Sequence, residues 1–105
     1  MRLCRLIFAT GLVVGLLATS VFAADAKTQD LYKTRCQGCH GAEGKATTIG
    51  KKLGAKDFSD PDVAKMSEAD LVKITTEGKG KMPSYKGKLT DSQIKDLVEY
   101  IKDMK

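Results

Sequence analysis

The stretch Cys36-Gln37-Gly38-Cys39-His40 decides how the rest of the chain is interpreted. Two cysteines at this spacing, with a histidine directly after the second, form the pattern by which c-type haem is attached. Each thiol can add to one vinyl group of the porphyrin, and the histidine is then held beneath the iron as its proximal ligand. The motif therefore predicts one covalent haem c, anchored by Cys36 and Cys39 and ligated by His40.

Three other interpretations of the paired cysteines are weaker. A thioredoxin-like redox motif follows a strand, and no strand pattern precedes Cys36. A structural zinc site takes about four ligands, whereas the whole chain has three cysteines and one histidine, and Cys4 lies in a segment that we expect to be removed. A disulfide between Cys36 and Cys39 would close a loop too short to stabilise the fold much.

An N-terminal segment of the secretory type precedes the motif. Two arginines among the first five residues are followed by the apolar stretch Leu6–Ala18, and Val21-Phe22-Ala23 carries the small residues that precede a cleavage point. We expect cleavage near Ala23, so that residues 1–23 are a signal peptide and residues 24–105 form one exported, periplasmic domain. Export agrees with the motif, because haem is attached outside the cytoplasmic membrane, where free thiols would otherwise oxidise.

The alternative for this segment is an uncleaved membrane anchor. Residues 6–24 form an uncharged run of 19 residues, close to the about 20 residues that cross a bilayer. Threonine, serine and glycine residues dilute the run, and we favour cleavage. Contact with a membrane would then come only through partner complexes.

The composition of the mature domain indicates a thin core. Without Arg2 and Arg5 it carries 16 basic and 13 acidic side chains, a net charge of +3 with His40 neutral, and the chain has no tryptophan. A domain of this size buries only about 60–65% of its unfolded surface and is marginally stable by itself. A porphyrin would supply the missing apolar centre. The modest charge and few aromatic residues argue against nucleic-acid binding.

The pattern of caps and apolar residues predicts an all-α domain of three to four short helices. Their predicted starts are Thr28, Asp60-Pro61, Ser67 and Thr90. The third is expected to end at Gly78. The last is the clearest, because Thr90 and Gln93 form a capping box and the apolar stripe that follows has the helical period. The first helix, over 28–35, and the last are expected to cross.

Two segments between these helices are interpreted as loops. In 41–58 the apolar side chains of Ile49, Leu53 and Phe58 are expected to pack on the haem face, or to form a small cluster under the loop. Residues 78–88 are an exposed, lysine-rich loop that contains Met82 and Pro83.

Candidates for the sixth iron ligand are few. The chain has no second histidine; Met1 lies in the predicted signal peptide, Met104 in the C-terminal tail, and Met66 is accounted for as the hydrophobic staple of the third helix. Met82 remains, in a flexible polar loop stiffened by Pro83. Ligation by histidine and methionine raises the reduction potential and closes the iron to small molecules. The alternatives are an open sixth position or a lysine ligand.

From Leu31 to Ile101 the chain resembles the small, soluble, single-haem class I c-type cytochromes. The resemblance is carried by LYKTRCQGCHGAEG at the front and GKMPSYKGKLTDSQIKDLVEYI at the back. It implies a cytochrome c-like fold wrapped around the haem, with thioether bonds to the two motif cysteines, His40 and Met82 as axial ligands, and Pro83 beside the latter. It also implies contacts of the front and back helices. The residues that match them are Leu31, Tyr32, Leu97 and Tyr100.

One departure from the family pattern is visible. Many members have Gly-Pro-x-Leu after the motif, and the proline carbonyl accepts a hydrogen bond from the second ring nitrogen of the axial histidine. Here the stretch reads Gly50-Lys51-Lys52-Leu53. The Lys51 carbonyl could still accept, but the loop would be less rigid.

The resemblance implies an outer-sphere, one-electron carrier that is not an enzyme and binds no small-molecule substrate. Lysines on both loops predict redox protein partners with acidic docking surfaces, although solubility alone is an equal explanation for them. These lysines are Lys45, Lys51, Lys52, Lys79, Lys81, Lys86 and Lys88. Three alternatives stay open: a haem subunit of a larger oxidoreductase complex, a haem sensor or enzyme with an open sixth position, and a thiol oxidoreductase.

Overall fold

The computed structural model describes Gly11 and residues 19–104, so most of the predicted signal peptide lies outside the described residues. Six helices follow one another in the described part, and it contains no strand, only isolated bridges in the loops after residue 78. The helices are α1 (Thr19–Arg35), α2 (Gln37–His40), α3 (Thr48–Lys52), α4 (Pro61–Ala64), α5 (Glu68–Glu77) and α6 (Asp91–Asp103). The prediction of an all-α domain is confirmed. No helix in the described part is both long and apolar enough to cross a membrane.

The starts of the three later helices agree with their sequence signals. Asp60 caps α4 through a hydrogen bond from the Asp62 N–H, and Pro61 is its first residue. The Ser67 hydroxyl caps α5, and Thr90 and Gln93 form the predicted capping box at the start of α6. Because these signals involve residues only two or three positions apart, the sequence alone was enough to predict them.

The predicted start of the first helix was wrong. α1 begins at Thr19, and Thr28 is a buried residue in its interior, only 7% exposed, rather than an N-cap. Residues 19–27 contain neither proline nor glycine and are rich in alanine, so nothing in the backbone stops the helix before Thr28.

Two short helices were not predicted. α2 occupies the last four of the five motif residues, and α3 lies within 41–58, which was interpreted as a loop. The Thr47 hydroxyl caps α3 by accepting a hydrogen bond from the Gly50 N–H at 3.0 Å. A helix of one turn is too short to show an apolar period, so its sequence resembles that of a loop.

The core lies where α1 crosses α6, as predicted. Four large side chains there are fully buried: Tyr32, Ile94, Leu97 and Val98. The rings of Tyr32 and Tyr100 meet with their centroids 5.2 Å apart, which confirms the contact between the front and back helices. α5 packs on α6 from another side. This arrangement leaves the remaining apolar side chains to face a cavity.

The hydroxyl of Tyr32 donates a buried hydrogen bond of 2.6 Å to the Gly41 carbonyl oxygen. Replacing Tyr32 with phenylalanine leaves that carbonyl unpaired, and we expect the free energy of unfolding to fall by about 1–2 kcal/mol. Chemical denaturation followed by circular dichroism measures the change. Tyr100→Phe is the matched control, since the Tyr100 hydroxyl makes no hydrogen bond within residues 19–104. Equal losses in the two variants would contradict this assignment.

Candidate functional site

A large cavity of about 510 Å³ lies between the cysteine motif, the segment after α3, helices α4 to α6 and the loop that carries Met82. Its volume falls in the range of about 300–1,000 Å³ that is typical of ligand sites. Most of its lining is apolar. The apolar lining residues include Leu53, Phe58, Val63, Leu71, Ile74 and Ile101. The cavity therefore suits a large, mainly apolar ligand.

One helical turn brings the three motif residues to the same cavity wall. The Cys36 carbonyl accepts hydrogen bonds from the Cys39 N–H at 3.3 Å and the His40 N–H at 2.9 Å. This winds the chain once between the two cysteines. Cys36, Cys39 and His40 all line the cavity, and the cysteines form no disulfide. The wall thus presents two thiols and one imidazole to whatever the cavity holds.

Hydrogen bonds from distant side chains hold this turn at both ends. The Tyr85 hydroxyl donates to the Arg35 carbonyl at 2.9 Å, just before the motif, and Tyr32 donates to the Gly41 carbonyl just after it. Within the motif, the Thr47 hydroxyl donates to the Gly38 carbonyl at 2.8 Å. Tyr85 was not singled out in the sequence, because a tyrosine in a polar loop carries no local signal of a partner 50 positions away.

Gly50 places α3 directly against the motif. A Cβ atom at this position would collide with the backbone carbonyl of Cys39, so only glycine allows the two backbones to approach so closely. With Gly50 facing the motif, the neighbouring Ile49 lies outside the cavity and is 65% exposed. The structure thus places Ile49, one of the residues expected to pack on the haem, outside the lining of the cavity. Leu53, one turn on, does line the cavity although it is 43% exposed.

Burial makes the Cys36 thiol a weak acid. It raises the pKa of Cys36 to about 11, so the thiol is protonated at neutral pH. A catalytic redox cysteine has the opposite property, a lowered pKa that supplies thiolate. This environment argues against the thiol oxidoreductase alternative. The zinc alternative also lacks support, because no three His, Cys, Asp or Glu side chains of the described residues cluster as metal ligands.

The imidazole of His40 is suited to bind a metal ion. Burial lowers its pKa, which keeps the ring neutral at pH 7, and the neutral ring is the form that ligates metals. Nδ1 is buried and has no hydrogen-bond partner in the part of the chain that the structure describes. That leaves Nε2 as the nitrogen that can bind a group in the cavity.

The described residues therefore provide no acceptor for Nδ1 of His40. The Lys51 carbonyl, the candidate acceptor from the sequence, instead accepts a hydrogen bond from the Gly54 N–H at 3.1 Å. Leaving a buried polar group unpaired costs about 1–3 kcal/mol. The ring of Phe58 lies against the imidazole, with centroids 4.9 Å apart and planes 28° from parallel.

Met82 lines the cavity from a tight turn. Lys79 and Met82 exchange two backbone hydrogen bonds, of 2.9 and 3.2 Å, and Gly80 between them has a positive φ of 57°. The loop beyond is fastened to the end of α5, because the Tyr85 N–H donates to the Thr75 carbonyl at 3.2 Å. The loop predicted to be flexible is thus held at both ends. Pro83 lines the cavity beside Met82.

A second methionine, Met66, also lines the cavity. In the sequence it was accounted for by its place just before α5, and that place is confirmed by the Ser67 cap that follows it. Its thioether is the one other sulfur ligand of this type in the lining. Any assignment of an axial methionine therefore has to distinguish Met82 from Met66.

Charged residues surround the mouth of the cavity. Lys56 and Asp62 form an exposed ion pair of 2.9 Å, and Lys56 lowers the pKa of the Asp62 carboxyl by hydrogen bonding to it. An exposed pair of this kind adds little stability. Lys79 and Lys81 line the mouth on the Met82 side and are exposed. The rim on that side is positively charged.

The donor set and the cavity agree with the group that the motif predicts. Two thiols and a neutral imidazole share one wall, methionine thioethers reach the same cavity, and the walls between them are apolar. Thiols for covalent attachment, a nitrogen and a sulfur for the iron, and an apolar slot for the porphyrin are what a haem c site requires. The residues present therefore fit a covalently bound haem.

Comparisons with known proteins point to one family. The profile described as "Cytochrome C oxidase, cbb3-type, subunit III" matches residues 23–101. Cytochrome c6 of Synechocystis sp. is 32% identical over 88 residues, which cover 83% of this chain and 72% of that protein. Cytochrome c6 of Thermosynechococcus vestitus is 30% identical over 95 residues, covering 90% and 83%. Among solved structures, the KustC0563 c-type cytochrome matches with a TM-score of 0.70 and 34% identity, over 74% of this chain and 96% of that one.

Proposed function

Because the chain belongs to the cytochrome c family and binds one haem c covalently, we propose that it is an exported one-electron carrier with His40 and Met82 as axial ligands. A single observation carries the proposal. One wall of the cavity presents both thiols and the neutral imidazole, and the Met82 turn lines the same cavity. The haem supplies the one-electron couple between ferric and ferrous iron.

The residues of this chain would keep electron transfer fast by keeping the site rigid. Cys36 and Cys39 hold the porphyrin at two points, and the hydrogen-bonded turn between them fixes His40. Two backbone hydrogen bonds between Lys79 and Met82 would hold the proposed second ligand in place. With both axial bonds retained in both oxidation states, little needs to rearrange. The apolar walls exclude water and, with the methionine ligand, raise the reduction potential.

Export remains part of the proposal. Cleavage near Ala23 would remove the first turn of α1, residues 19–23, and would leave the part of the helix that carries Tyr32 in the core. The domain from residue 24 onward would retain every residue of the cavity.

The mass and absorbance of the exported protein test the cofactor and its placement together. We expect the mass of residues 24–105 plus one haem, and a reduced spectrum of the c type, when the gene is expressed in a host that attaches haem. A Cys36→Ala/Cys39→Ala variant is the control and is expected to lose covalent haem. Colourless wild-type protein with the mass of the bare polypeptide would overturn the proposal.

The axial methionine is tested by comparing the two methionines of the cavity. We expect Met82→Ala to abolish the sulfur-to-ferric-iron charge-transfer band and to lower the reduction potential, because a thioether ligand favours ferrous iron. Met66→Ala removes the same side chain from the same cavity and is expected to retain the band. Absorbance and potentiometric titration measure both effects. A band that survives in Met82→Ala and vanishes in Met66→Ala would assign the ligand to Met66.

Partners are proposed to be redox proteins that present acidic surfaces to the lysine-bearing rim. Lys79→Glu/Lys81→Glu should slow oxidation by the anionic probe ferricyanide by up to about tenfold at low ionic strength, because the local field attracts anions. Lys95→Glu/Lys102→Glu on α6 changes the net charge equally outside the cavity lining. Stopped-flow rates measured against ionic strength compare the two pairs. Equal slowing would show that net charge, rather than the rim, governs the encounter.

A second candidate is a haem subunit of a larger oxidoreductase, which the description of the matching family profile favours. The match to cytochrome c6 proteins over most of both chains favours the free carrier. Purification in high salt distinguishes them, since a transient electrostatic partner dissociates and a subunit stays bound.

A further inference from the structure

Phe58 makes the closest aromatic contact with the proposed proximal ligand. Its ring is stacked on the His40 imidazole, with centroids 4.9 Å apart and an interplanar angle of 28°. Both residues line the cavity. The two lie 18 positions apart in the chain, so their contact is made by the fold of the intervening loop and is not a consequence of local helix geometry.

The loop around Phe58 is built to hold its ring. The Phe58 N–H donates to the Gly44 carbonyl at 2.9 Å, and the Asp57 carboxylate accepts a hydrogen bond from the Ala46 N–H at 2.8 Å. A Cβ atom on Gly44 would lie 2.7 Å from the edge of the Phe58 ring, and the φ of Gly44 is +82°. Both facts require glycine there. The ring thus packs directly against the backbone of Gly44.

No hydrogen bond within the described residues fixes the Nδ1 edge of the imidazole. Nδ1 of His40 is buried and meets no hydrogen-bond acceptor among the described residues. A ligating histidine is normally fixed in rotation by a hydrogen bond from this nitrogen. Without that bond, contact with neighbouring side chains has to set the rotation of the ring about its bond to the iron.

We propose that Phe58 is the positioning residue for the His40 imidazole, and that ring stacking sets the rotation that a hydrogen bond at Nδ1 sets in other histidine-ligated sites. This inference rests on the proposed function, in which His40 ligates the haem iron. Phe58 contacts the His40 ring, so it would act on the iron through this ligand. Its effect is on the orientation of the imidazole plane relative to the porphyrin nitrogens.

The orientation of the imidazole is measurable in the cyanide complex of the ferric protein. Cyanide replaces the methionine sulfur and is cylindrically symmetric, so the plane of the histidine alone determines how unpaired spin spreads over the porphyrin. The four haem methyl proton resonances then report that plane through their order and spacing. In the wild type we expect a wide, ordered spread that reflects one fixed orientation.

The test compares substitutions that remove, keep or displace the ring. Phe58→Leu should change the order or narrow the spread of the methyl resonances, and Phe58→Tyr, which retains the ring, should restore the wild-type pattern. Gly44→Ala should also change the pattern by pushing the ring away. Val98→Ala is the control, because it truncates a fully buried side chain outside the cavity lining and should lower stability without changing the pattern.

Two results separate failure of this inference from failure of the proposed function. A wild-type methyl pattern in Phe58→Leu and Gly44→Ala, with the methionine charge-transfer band intact before cyanide is added, would overturn the role of Phe58 alone. If Phe58→Leu yields no folded protein, the Gly44→Ala pattern decides. A His40→Ala variant with the wild-type absorbance spectrum would instead reject His40 as the ligand.

Discussion

The site depends on hydrogen bonds that satisfy the backbone carbonyl groups of one short helical turn. A turn that ends two helices within six residues leaves carbonyl groups that have no helical partner. Here those carbonyls accept hydrogen bonds from three separate parts of the chain: Tyr32 in α1, Thr47 before α3 and Tyr85 after α5. The turn between the cysteines is therefore rigid only when the whole domain has folded around it. Fold and site cannot be separated in this molecule.

The apolar side chains of the domain are buried in two places, the crossing of α1 and α6 and the cavity. The crossing of α1 and α6 buries the four largest fully enclosed side chains, whereas residues such as Leu71 and Ile74 point part of their surface into the cavity. A domain of about 80 residues has little apolar area to spare. The haem, as a rigid apolar disc, would complete the second half of the core. This explains how a chain with no tryptophan and six aromatic residues among phenylalanine and tyrosine can form a stable domain.

The features that the sequence predicted correctly have signals that lie within one or two turns of chain. The cysteine motif, the caps at Asp60, Ser67 and Thr90, and the apolar stripe of α6 are of this kind. The sequence was insufficient for contacts between residues that lie far apart in the chain and are brought together by the fold of a loop. The exposure of Ile49 follows from the packing of Gly50 on the motif, and the stacking of Phe58 on His40 depends on the shape of the loop between them. Neither contact produces a periodic pattern of residues that could be recognised in the sequence.

Among the described residues, Nδ1 of His40 is the one buried side-chain nitrogen or oxygen that has no hydrogen-bond partner. Natural proteins tend to leave individual polar groups without hydrogen bonds at functional sites, and other interactions offset the loss of stability. Lys51 stands where the family pattern has proline, and its carbonyl accepts a hydrogen bond within the turn after α3. The same segment, 41–58, instead places the ring of Phe58 against the imidazole. In the proposed site, the apolar contact with Phe58 would therefore orient the imidazole in place of a polar restraint. Without a hydrogen bond donated from Nδ1, the imidazole would also donate less electron density to the iron.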